Sequence, residues 1–188
     1  RLNGEQGGRL ISLDQDPDAV QTARARLAGL PATVVQINFR YAGQALEQLG
    51  IETINGALLD LGVSSHQLDD AARGFSYRAD APLDMRMNRR GGRTAADLVN
   101  RATAEELTRI LGDWGELQTP WKVASCIVQA RTAGPILTTG ELVAAVAPCT
   151  PRKEESKFLT KLFQALRIEV NGEMEALKMA LEQSLKVC

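Results

Sequence analysis

Two kinds of apolar pattern divide the chain. In the first sixty residues the apolar positions come as short runs. Arg9–Leu13 (RLISL) predicts a strand that ends at Asp14. The segment that follows, DPDAVQTARARLAGL, has helix grammar. Asp16 suits an N-cap and Pro17 the first helical position, Val20, Ala23 and Leu27 make an apolar stripe, and Gly29 suits the stop. Thr33–Ile37 (TVVQI) is β-branched and predicts a second strand, and Tyr41–Leu49 predicts a helix ended by Gly50. Ile54–Leu61 (INGALLDL) is nearly continuous in apolar residues after Gly56, as a strand buried on both faces should be. Strand, helix, strand, helix, strand at this spacing predicts a parallel α/β sheet with right-handed crossovers. GEQGG at 4–8 precedes a strand rather than following one, so it reads as a helix-to-strand turn and not as a phosphate-cradling loop.

After Gly62 the period changes. Residues 62–93 are loop-rich, and from Thr94 the spacing is helical. Thr103 with Glu106, and Thr138 with Glu141, have capping-box spacing. Thr119-Pro120 starts a helix that stops near Gly134-Pro135, and Ala147-Pro148 closes the next. No strand signal falls in 94–150. From Lys157 an amphipathic stretch runs to Val187 through Leu159, Leu162, Phe163, Leu166, Val170, Met174, Leu177, Leu181 and Leu185. Gly172 marks a kink or a junction of two helices. The expected organisation is an α/β domain over 1–93, an all-helical insert over 94–156, and return helices over 157–188.

Composition narrows the function classes. A chain of 188 residues suits one domain with a modest insert. No apolar run is long enough for a membrane helix, and Arg1–Gln6 shows no signal-peptide core. Cys126, Cys149 and Cys188 are widely spaced without a CxxC, which supports neither a disulfide framework nor a zinc site; a reducing compartment is the default. His66 is the only histidine, and no nucleophile–base pair can be argued for it. Net charge is −1, so no global basic field advertises nucleic acid. Arg86, Arg89, Arg90 and Arg93 nevertheless cluster without an intervening acid, and Arg152, Lys153, Lys157 and Lys161 form a second cluster diluted by Glu154 and Glu155. Solvated surface charge and phosphate contacts both remain open for these.

In a doubly wound sheet, ligands bind beyond the carboxyl ends of the strands. That rule selects Asp14, suited to ribose hydroxyls or to a local cap. It selects Phe39 just past the second strand, suited to stacking on a purine or to packing. It also selects Asp60, a carboxylate that needs partners if buried. Ser64 and Ser65 offer hydroxyls to a substrate or cap a turn. Trp114 and Trp121 bracket a helix start and read as core or interface residues rather than base-stacking platforms.

At residues 56–87 the text becomes specific. The elements LLDLGVSS, QLDD, RGFS and PLDMRM, in this order, resemble the bacterial small-subunit ribosomal RNA methyltransferase H family, also called MraW. LDQDPDAV is similar to the family's acidic strand end. FQALRIEVNGEMEAL is similar to its F-x-A-x-R-I-x-V-N-x-E segment, through Phe163, Ala165, Arg167, Ile168, Val170, Asn171 and Glu173. The resemblance covers essentially the whole chain and is weakest over 100–150.

The resemblance implies a Rossmann-like S-adenosyl-L-methionine-dependent methyltransferase sheet with an inserted helical substrate domain. It implies methylation of the N4 amine of a cytidine in small-subunit (16S) ribosomal RNA. Asp14 would bind the cofactor ribose and Phe39 the adenine, with Asp60 and Gln67 also lining that site. Asp60, Ser64 and Ser65 are the candidate acceptors for the amine proton, and Arg86, Arg89, Arg90 and Arg93 the candidate RNA contacts. No metal is required. The implied partner is the small ribosomal subunit in a bacterial cytoplasm, with a mitochondrial matrix as the lesser alternative. No membrane partner is implied, and a homodimer stays open. His66 stands where the family commonly has Pro. The family's Gly-rich cofactor loop is expected before Arg1 and its S-F-H-S-L-E-D segment beyond Cys188, so the chain is expected to be truncated at both ends and inactive alone. A methyltransferase acting on another nucleic acid, a dehydrogenase on the same sheet, and a non-catalytic RNA-binding or assembly protein are the rivals.

Overall fold

The structure is a computed structural model that describes residues 7–187. It divides into two compact units. Among the described residues the first comprises 7–60, 87–90 and 173–187, and the second comprises Leu61–Arg86 and Gly91–Gly172.

The first unit is mixed α/β. Strand β1 (Leu10–Asp14) pairs in parallel with β2 (Ala32–Gln36), with Leu10 opposite Ala32 and Asp14 opposite Gln36. Helix α1 (Pro17–Arg26) links them. Asp16 caps it by accepting from the Asp18 amide, and Pro17 occupies its first turn, as the spacing predicts. A 3-10 turn (Phe39–Tyr41) leads into α2 (Ala42–Gln48). Helix α9 (Glu173–Val187) packs on that turn and on α2. Gln183 bonds on both sides of this contact: its Oε1 accepts from the Gly43 amide at 2.6 Å, and its Nε2 donates to the Arg40 carbonyl at 2.6 Å. The core is small, with Val20, Ala45, Leu46, Ala176 and Ala180 buried.

The third strand expected over Ile54–Leu61 does not form. Among the described residues the sheet has two strands and neither pairs with this segment, although the Ile54 amide donates to the Val187 carbonyl at 2.7 Å. Extended backbone that lacks a partner ladder has no regular structure to adopt. Its apolar run is consequently left in solvent, with Leu58 95% exposed.

The second unit is helical: α3 (Ser65–Asp69), α4 (Ala95–Arg101), α5 (Ala104–Asp113), α6 (Pro120–Ala133), α7 (Thr139–Val146) and α8 (Glu155–Asn171). Leu98, Leu107, Ile110, Leu111, Ile127, Leu142, Leu162 and Leu166 are fully buried within it. Capping boxes start α5 and α7 at Thr103 and Thr138, as their spacing predicts, and a further one starts α4 with Thr94 and Asp97. At Gly115 an added Cβ would stand 3.1 Å from both the Ala165 Cβ and the Lys161 carbonyl, so glycine lets the end of α5 approach α8. Gly172, at φ +58°, ends α8, which makes the predicted junction two helices. This unit is larger than the expected 94–156 insert, since it takes in residues 61–86 and the whole of α8.

Candidate functional site

The first unit gathers polar groups at the carboxyl ends of its two strands. Asp14 is the last residue of β1, with its side chain open to solvent. One carboxyl oxygen accepts from the Asp16 amide at 2.8 Å, and its carbonyl accepts from the Ile37 amide at 2.9 Å. The surrounding protein partly desolvates this carboxyl and raises its pKa above the ordinary value. The amides of Asp16 and Gln15 pull the other way, and the Asp16 charge adds to the rise.

Across the strand ends, the Asn38 Nδ2 donates to the Gln15 Oε1 at 2.7 Å, and the Gln15 Nε2 donates to the Met87 sulfur at 3.2 Å. Asn38 also accepts from the Arg40 amide at 3.0 Å, which caps the 3-10 turn that carries Phe39. The half-buried Phe39 therefore stands on a turn fixed from the β1 side. Asp14 and Phe39 lie on the ends of adjacent strands, as the strand-end rule expects, whereas the Gln15–Asn38 bridge spans 23 residues and carries no sequence signal. Asp60 ends the first stretch of this unit and sits exposed in the irregular segment. Arg89 and Arg90 are exposed, in no ion pair among the described residues.

In the second unit the sequence motifs interlock. Met85, fully buried in PLDMRM, holds φ +60°, a strained value for a methionine. Its amide donates to the Arg73 carbonyl at 3.0 Å, and its carbonyl accepts from the Asn171 Nδ2 at 2.8 Å. Arg73, 2% exposed, donates to the Arg86 carbonyl at 3.1 Å and lies 5.6 Å from the Phe75 ring centre. RGFS, PLDMRM and the Asn171 segment thus meet at one strained residue, although 86 residues separate Met85 from Asn171.

Other candidates in this unit are engaged by their neighbours. Ser64 caps α3 by accepting from the Gln67 amide at 3.2 Å, while the Gln67 Oε1 accepts from the Ser64 amide at 3.0 Å. The capping use weighed for Ser64 is the one observed, and it takes up one atom of Gln67. Ser65 and His66 are exposed in the first turn of α3. Arg86 grips Asp84 through two contacts of 2.8 Å, and Arg93 pairs with Glu169 at 2.8 Å. Glu169 also accepts from the Trp114 indole at 3.0 Å. No group of His, Cys, Asp and Glu among the described residues could hold a metal, and no described helix is long and apolar enough to cross a membrane.

The model of the MraW methylase family matches residues 2–188. The chain belongs to the MraW methylase family. Proteins named ribosomal RNA small subunit methyltransferase H agree with it. The one from Cytophaga hutchinsonii is 48% identical over 181 residues, which cover 96% of this chain and 60% of that protein. The one from Bacteroides thetaiotaomicron is 50% identical over 92% of this chain and 56% of that protein. The one from Heliobacterium modesticaldum is 48% identical over 99% of this chain and 61% of that protein. The chain thus spans about 60% of the length of these MraW relatives.

Proposed function

We propose that this chain carries part of a Rossmann-like, S-adenosyl-L-methionine-dependent methyltransferase that modifies the N4 amine of a cytidine in small-subunit (16S) ribosomal RNA. The site it works on is the assembled small subunit or its RNA, in a bacterial cytoplasm. The observation that carries this reading is an exposed carboxylate, Asp14, at the carboxyl end of a parallel strand, beside Phe39 on a capped turn at the end of the next, in a chain of the MraW family. These two residues fit the nucleoside part of the cofactor. A carboxylate whose one oxygen takes a local amide still has lone pairs for a ribose diol, and the half-buried ring suits one face of an adenine.

When bound, the cofactor supplies a methyl group on a sulfonium sulfur. The amine of cytosine is a weak nucleophile because its lone pair is delocalised into the ring, so the protein must align it and accept from its N–H bonds. Asp60 is proposed as that acceptor, with the Ser65 hydroxyl as the alternative. Ser64, committed to the cap of α3, orients the segment instead. Asp60 and Gln67 are carried to the cofactor site by family resemblance. Arg89 and Arg90 are proposed as phosphate contacts. Arg86 and Arg93, held by Asp84 and Glu169, are better read as structural. The helical unit is proposed as the RNA-recognition part, with the expected insert 94–156 at its centre.

The test is methyl transfer by the full-length protein from labelled cofactor to small ribosomal subunits, free RNA and DNA. Transfer to small subunits that yields N4-methylcytidine supports the reading. Asp60→Ala should lose transfer with the fold retained. Transfer to DNA alone, or wild-type transfer by Asp60→Ala, contradicts it.

A further inference from the structure

The two tryptophans have opposite settings. The Trp114 ring is half-buried, with its indole nitrogen bonded to Glu169. Trp121, in the first turn of α6, is 59% exposed. It borders an open groove of about 500 Å³, lined on α5 by Ala104, Glu105, Thr108 and Arg109 and on α6 by Trp121, Ser125 and Val128.

Three features decide what this groove suits. First, the lining has one large apolar side chain, Trp121; docking of an amphipathic helix needs several apolar anchors in a row. A single flat ring beside hydroxyls suits a flat, polar ligand. Second, the Lys122 ammonium lies 5.3 Å from the Trp121 ring centre and joins no ion pair among the described residues. An ammonium on a flexible stem over an exposed ring can leave that face to a stacked base and pair with the base's phosphate. Third, the first turn of α6 contains no acid, so the positive end of the helix adds to Lys122. Arg109 is shared with Asp113 and Glu169, and Glu105 is the one acid on the lining.

We propose that Trp121 is a stacking platform for one unpaired base of the RNA, with Lys122 holding the adjoining phosphate. This rests on the RNA-directed reading above and adds a contact to it. Stacking of a base on an aromatic side chain is tolerant of sequence, so the platform would hold the strand rather than select the target cytidine.

The experiment measures binding of the protein to a single-stranded oligocytidylate, by anisotropy of the labelled RNA and by tryptophan emission. Trp121→Ala should weaken binding by about 5- to 150-fold, and Trp121→Phe should recover most of it. RNA should quench the emission of the unaltered protein but not of Trp121→Phe. Lys122→Gln should lower the salt slope by about one. Trp121 is exposed, so the thermal midpoints should stay together. If the unaltered protein binds RNA and both Trp121 variants bind it equally well, the stacking platform is wrong and the methyltransferase reading stands. If Trp121→Ala changes only self-association, the face belongs to a second copy and the proposal fails. If the unaltered protein binds no RNA, the platform fails, and methyl transfer to small subunits decides the methyltransferase reading separately.

Discussion

The two compact units build their interiors differently. Neither β1 nor β2 has a single buried residue, and the first unit rests on a few buried side chains, Val20, Ala45, Leu46, Met87, Ala176 and Ala180. The second unit buries large aliphatic side chains from α4 to α8 almost completely. A helix satisfies its own backbone and needs only a partner for one apolar stripe, whereas a strand needs a neighbour before its pattern means anything. The unit with the thin core is also the one that presents Asp14, Phe39 and Asp60. The dense unit holds its motif residues in caps, ion pairs and a strained turn.

The largest effect should come from cutting the dense core. Leu111→Ala or Leu162→Ala should lose about 2–5 kcal/mol in denaturant unfolding. The same truncation at the exposed Leu58 should stay within about 0.5 kcal/mol. Equal losses would erase the contrast between the units. Next comes Gly74→Ala. Gly74 holds φ +70°, and an added Cβ would collide with the Pro82 carbonyl and come within 2.9 Å of the Asp84 amide. A loss of about 1–3 kcal/mol is expected by thermal unfolding. Thr103→Ala, which removes the cap of α5, should cost about 1 kcal/mol.

The smallest effect is one of sign. Hydrogen bonds from the Thr94 amide and hydroxyl hold the Asp97 carboxyl below its ordinary value of 3.8. Asp97 therefore stabilises the fold above that pH, and this is lost as pH falls through its folded value. Asp14 is raised from the same 3.8, so its ionisation costs stability above its folded value, and the cost is relieved as pH falls toward 3.8. Stability against pH for Asp97→Asn and Asp14→Asn should change slope in opposite directions. Slopes of the same sign would show that the two carboxyls are not set apart.

Local grammar was legible from sequence. Asp16 with Pro17, Thr103 with Glu106 and the break at Gly172 depend on neighbours within a turn, and they stand where expected. Each strand is displaced by one residue, since β1 runs Leu10–Asp14 and β2 runs Ala32–Gln36. The cap at Ser64 was among the uses weighed for it, whereas the box at Thr94 was hidden because Asp97, rather than Glu or Gln, completes it. The segment 54–61 misled because an apolar run does not reveal whether a strand lies beside it. Of the two uses read for Trp121, core and interface, its exposure removes the first, because helical spacing gives a face and not what covers it. The Asn38–Gln15 bridge and the Asn171–Met85 contact join residues far apart in the chain, and only the fold shows them. The strand-end rule reached the places of Asp14 and Phe39, because each follows a short apolar run of strand type.

The most direct measurement is calorimetric binding of S-adenosylhomocysteine to the protein and to Asp14→Ala. The account expects binding by the unaltered protein, loss of it in Asp14→Ala with an unchanged thermal midpoint, and no binding of NAD to either. Undiminished affinity in Asp14→Ala, or binding of NAD in place of S-adenosylhomocysteine, would contradict the assignment of the strand ends as the nucleoside site of a methyltransferase.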